Sequence, residues 1–256
     1  MRVLFLALAL TSALAAQSGS ADQQVSVGID AYRNAHYAAA VEHFTAALQL
    51  DPGYLDARLY LAMAYMVQYV PGSETPENRH LAQQAEDEFQ QVLNLDPEHE
   101  TALASIASLY FKQRKFEDAR EWFEKVVSLD ADDREAWFTL GVIAWNEWHP
   151  AYDAARAKLN MKAEEFAPLP DKSVREDLKR RYSATLNEGI RDLEKALTID
   201  PDYTDAMVYL DLLLRGRAGW AESTAEYDKD IAAADRWTRK AVETRKRKTE
   251  HVPAQP

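Results

Sequence analysis

The side chains able to do chemistry are few and scattered. Six histidines stand at His36, His43, His80, His99, His149 and His251, and none shows the HExxH spacing that seats a catalytic zinc. His36 and His43 lie seven apart around a turn, where surface or packing roles are the ordinary explanation. There is no cysteine, which removes disulfides, thiolate metal sites, a thiol nucleophile and a lipidated N-terminal cysteine. Gly216 and Gly219 lack the following Lys-Ser/Thr of a phosphate loop, and no Gly-x-Ser-x-Gly elbow exposes a serine nucleophile. The acidic run Glu86-Asp87-Glu88 reads as a solvated helix face. The basic run Arg245-Lys246-Arg247-Lys248 reads as the favourable close of a last helix against its macrodipole. No catalytic residue, metal ligand or cofactor is therefore assigned. What remains is recognition. Trp145, Trp148 and Tyr152 could form a stacking platform for a small molecule or a cell-wall glycan.

Composition narrows the class further. Of 256 residues 47% are hydrophobic, enough for a substantial core. Lys+Arg at 30 against Asp+Glu at 42 gives a net charge of −12, contrary to the basic face of a nucleic-acid binder. At the start, Met1-Arg2 precedes the apolar run Val3–Leu10, then Ala13-Leu14-Ala15-Ala16 offers an A-x-A-like cleavage site. That order is a secretory signal peptide over 1–16. The run is shorter than the about 20 residues that cross a bilayer core. The expectation is an exported chain, periplasmic or secreted, without an integral membrane segment once mature.

The elements that must position any binding face are written as repeats. Ala47-Leu48-Gln49-Leu50-Asp51-Pro52, Val92-Leu93-Asn94-Leu95-Asp96-Pro97 and Ala196-Leu197-Thr198-Ile199-Asp200-Pro201 end almost alike, and Val126-Val127-Ser128-Leu129-Asp130-Ala131 follows without the proline. Three residues before each stands Phe44, Phe89, Phe123 or Leu193, and four before those Ala40, Ala85, Ala119 or Gly189. In the clearest unit, 100–133, Leu103, Ile106, Ala107 and Tyr110 form one helical stripe. Ala119, Phe123, Val126 and Val127 form a second. This 34-residue helix–turn–helix, with small residues at positions 8 and 20 and an aromatic at 24, resembles the tetratricopeptide repeat (TPR) family over most of residues 21–248. Position 8 holds Gly28, Ala62, Ala107 and Gly141, where the two helices of a hairpin cross. The proline is expected to end each second helix and to set the turn into the next unit.

The resemblance implies an all-α, right-handed superhelical solenoid of helix pairs over 17–248, in units 21–54, 55–99, 100–133, 134–203 and 204–248, with a frayed tail at 249–256. The last unit departs most and reads as a cap. Units two, four and five are long, with the extra residues expected between first and second helices. Thr75-Pro76, Ser173–Glu176 and Ser223–Glu226 are the restart signals. In unit four one stripe from Val174 through Leu178, Tyr182, Leu186, Ile190 and Leu193 to Leu197 predicts a helix of about 25 residues. Ala151–Met161 with Phe166 is the expected cover for its first half. The insertions would form a ridge on one edge.

In the family the first helices line a concave groove. Carried over by position, this face holds Leu59, Tyr60, Met63 and Met66, then Phe111, then Phe138, Val142 and Trp145, then Tyr209. Val25, Ile29, Thr101 and Ser105 stand where the chaperone-binding subfamily carries its carboxylate-gripping Lys, Asn and Arg, so that mode is absent. Two readings stay open: the groove receives an apolar peptide segment of a protein partner, or it is filled by the chain's own insertion, its N-terminal arm or a second copy in a homo-oligomer. The implied role is a non-enzymatic binding scaffold.

Overall fold

The computed structural model describes residues 19–162 and 167–250. The expected leader, Phe166 and the residues after Glu250 lie outside that range. The described residues are helical throughout, without a strand, and the chain divides into two compact units meeting at Gln113 and Arg114. The first holds α1 (Ala21–Arg33), α2 (Tyr37–Leu50), α3 (Leu55–Gln68), α4 (Pro76–Leu95) and α5 (Glu100–Lys112). The second holds α6 (Phe116–Leu129), α7 (Arg134–Lys158), α8 (Lys172–Ile199), α9 (Thr204–Ala218) and α10 (Thr224–Glu250). Within each unit, helices adjacent in sequence pack on one another.

Close helix crossing explains the small residues. A Cβ on Gly28 would lie 2.6 Å from the Phe44 ring, and one on Gly141 would lie 2.4 Å from Leu193. The aromatic or leucine of the second helix thus fills the space that glycine leaves on the first. Ala62 and Ala107 are fully buried. Around these crossings the first unit gathers Val25, Phe44, Ala57 and Leu61. The second gathers Trp148, Leu186, Leu193, Met207 and Leu210.

The joints between pairs rest on aspartate rather than proline. The Oδ1 atoms of Asp51, Asp96, Asp130 and Asp200 accept from the N–H groups of Gly53, Glu98, Asp132 and Asp202 at 3.0, 3.3, 2.9 and 2.9 Å. Each aspartate carbonyl then accepts from the residue three on, Tyr54, His99, Asp133 or Tyr203. Asp130 makes this turn with Ala131 where the others have proline, so the expectation that proline sets the joint is corrected: the Asx turn does.

Two other turns, before α2 and before α6, place Ala35 and Arg114 in the left-handed region at φ 60°. The start of α8 also differs from expectation. Asp171, not Ser173, caps it, accepting from Ser173 and Val174 N–H at 2.8 and 3.1 Å. Ser223 does cap α10, through Glu226 N–H at 3.2 Å. Helix α7 continues through Pro150 to Lys158. Its far half brings Ala151, Ala155 and Leu159 against the cluster that holds Leu178, covering the first turns of α8.

Candidate functional site

In the first unit, Leu59, Tyr60, Met63 and Met66 on α3 and Phe111 on α5 are half-buried. Packing covers one side of such residues and leaves the other to solvent. Tyr60 stacks on Phe44 with ring centroids 5.6 Å apart and meets Tyr32 edge-on at 6.3 Å, so its ring is held rather than free to turn. The methionines beside it supply a wall that can repack.

The second unit gathers more aromatic surface. Phe138 on α7 lies 4.9 Å from Tyr203 and 5.6 Å from Tyr209. Tyr209 meets Trp145 at 6.3 Å, and Trp145 stacks on His149 at 3.9 Å. The result is one row of half-buried rings from Tyr203 to His149, drawn from α7 and the start of α9. Tyr203 is fixed by its hydroxyl, which donates to Glu135 Oε2 at 2.6 Å. Burial, and then the Glu135 carboxylate, push this phenol far above its ordinary range, so it stays a neutral donor.

Two expectations fail here. Val142 is only 7% exposed and belongs to the core rather than to the inner face. Trp148 and Tyr152 are 1% and 8% exposed, and His149 covers a face of Trp145, so these three rings form no open platform for a sugar. They wall a cleft of about 260 Å³ instead, closed by Leu212 of α9 and by Tyr227 and Ile231 of α10. The rings sit low because α9 has glycine beneath them. A Cβ on Gly216 would come 2.2 Å from Trp148, and one on Gly219 2.4 Å from the Tyr152 hydroxyl. The indole N–H of Trp148 is buried without an acceptor. Family positions pointed to Phe138, Trp145 and Tyr209 but not to Tyr203, His149 or Tyr227. The signal for His149 was present, four residues after Trp145 on the same helix face.

The acidic run and part of the basic run are occupied by structure. Glu86 accepts from Tyr110, Asp87 from Gln83, and Glu88 pairs with Arg58 at 2.9 Å. In the basic run, Arg247 pairs with Asp202 and Lys248 donates to the Asp202 carbonyl, tying α10 to the joint before α9. His43 bonds Gln24 at 2.8 Å. Among the described residues no cluster of three or more His, Asp or Glu is arranged to hold a metal ion. No described helix is long and apolar enough to cross a membrane.

Two family models described as tetratricopeptide repeat match the sequence, over residues 28–68 and 80–141. Together with the helix pairs these decide the family. The chain is a tetratricopeptide-repeat protein. No curated protein is significantly similar to it. Among solved structures, a crystal structure of MamA superposes with a TM-score of 0.60 at 16% identity, covering 88% of this TPR chain and 98% of that one. MamA 41-end from Desulfovibrio magneticus RS-1 gives 0.58 at 16%, covering 88% and 95%. YrrB, reported as a TPR protein with an unusual peptide-binding site, gives 0.57 at 15%, covering 93% and 98%. At such identities the shared property is the TPR fold.

Proposed function

We propose that this TPR protein is a non-enzymatic scaffold that holds an extended, apolar peptide segment of a protein partner. The observation carrying the reading is the aromatic row from Tyr203 through Phe138, Tyr209 and Trp145 to His149. Rings that are fixed on one side and wet on the other bind with little loss of side-chain freedom, and aromatic residues dominate interface energetics for that reason. In the first unit Tyr60, Met63 and Phe111 offer a second apolar surface of the same kind. The peptide-binding site reported for YrrB supports the reading by shared fold. The longer connections before α4 and α8 would set which segment is accepted. The charged, apolar and small segments of residues 1–16 support work outside the cytoplasm, in the periplasm or beyond.

The test begins with partners captured by cross-linking in cells, whose affinity is then measured against variants. Tyr60→Ala combined with Phe138→Asp is expected to weaken binding by at least about 2 kcal/mol, the scale of an aromatic anchor. Phe138→Ala is the milder companion, with circular dichroism confirming that both fold. Unchanged affinity in folded variants for every captured partner would remove these surfaces from consideration.

A further inference from the structure

We propose that the cleft beside Trp148 is an anchor pocket for one uncharged aromatic side chain of the bound peptide. The inference rests on the peptide-binding reading and names what the peptide must carry. Position comes first. Trp145 lines the cleft and also stands in the ring row between Tyr209 and His149, so a chain lying along that row passes the opening. Size comes next. At about 260 Å³ the cleft falls just below the roughly 300–1,000 Å³ of pockets that enclose a drug-sized ligand, which leaves room for a single ring-bearing group.

Charge selects the occupant further. Arg215 is held by Asp211 at 3.0 Å and Asp235 at 2.6 Å. His149 lies 3.4 Å from Asp153, and Arg156 donates to the Lys162 carbonyl. A charged guest would have to break these pairings, whereas a neutral one leaves them intact. The walls then favour a ring over an aliphatic chain, because the half-buried rings of Trp145 and Tyr227 line the cleft and pair with aromatic groups.

The experiment uses the full chain with nitrogen-15 in its tryptophans and N-acetyl-tyrosine amide as the probe. The indole signals are followed by NMR, and Trp148→Phe assigns the one of interest. A saturable shift of the Trp145 and Trp148 signals is expected, with N-acetyl-leucine amide binding about tenfold more weakly. Ile231→Phe fills the cleft from α10 and should abolish the shift. Leu212→Phe does the same from α9 should the first variant fail to fold. No response up to the solubility limit, an equal response to the leucine amide, or a shift that survives in both filled variants overturns the pocket. The amide titration reads the cleft without any partner, so it remains interpretable even if the Phe138 and Tyr60 variants leave partner binding unchanged.

Discussion

Asp192 lies on α8 at the edge of a cleft of about 440 Å³, beside Glu124, Glu188, Arg120 and Arg191. Burial pushes its carboxyl up to about 7, with Arg120 and Arg191 pulling the other way. The native carboxyl therefore keeps its proton to a higher pH than the unfolded one. Between about pH 4 and 7 the native state binds the extra proton, so this group's contribution to stability is full below that window and is lost as pH rises through it. Asp192→Asn is expected to raise stability near pH 8 by about 1–3 kcal/mol. That gain should vanish near pH 3, as thermal melts at the two pH values will read. A destabilised variant at pH 8 would contradict the assignment. At this same scale the joint aspartates show what a sequence yields. Their recurrence was plain, yet the proline beside three of them drew the structural credit. Only Asp130, which makes the turn without proline, separates the two roles.

At the scale of elements, the connection between α3 and α4 hangs on one side chain. Asn78 is 5% exposed. Its Oδ1 accepts from Val70 N–H at 2.8 Å, and its Nδ2 donates to the Val70 and Ser73 carbonyls at 2.9 and 2.8 Å. Asn78→Ala removes the partner of three backbone groups and should cost about 1–3 kcal/mol. Hydrogen exchange should then accelerate in α3 and α4 first, since openings begin where local bonding is lost. Uniformly faster exchange over the first unit would show that the segment opens only with the whole unit. Thr75-Pro76 announced the restart correctly. Asn78 was illegible because its partners lie five and eight residues back, in a loop without periodicity. The extent of α7 was hidden likewise. Proline commonly ends a helix, but Trp148 and Tyr152 on either side of Pro150 are buried, and their packing holds the helix together.

For the molecule as a whole, pattern repetition made the fold readable. Each pair must hide the same stripe against a neighbour, so one physical demand is written again and again in the sequence. The proposed binding surfaces were half readable. Position within a repeat led to Phe138, Trp145 and Tyr209, while Tyr203 enters from a joint and Tyr227 and Ile231 from the most degenerate pair. The net charge of −12 acts at this scale too. Exposed ion pairs contribute little each, and the surplus of carboxylates repels itself over the whole chain. Raising salt from about 10 mM to 150 mM shortens that repulsion to about a Debye length of 8 Å and is expected to raise the melting temperature. A melting temperature that falls with salt would mean that the ion pairs outweigh the surplus.

The bends at Ala35 and Arg114 carry a lesson of their own. Left-handed backbone costs a residue with a side chain roughly 1–2 kcal/mol, and these two bear it in matching places with quite different chemistry. What the module retains is the shape of its corner, whatever stands there. Anyone extending such a chain with additional copies would do well to write glycine into that corner, and so begin from a sturdier brick.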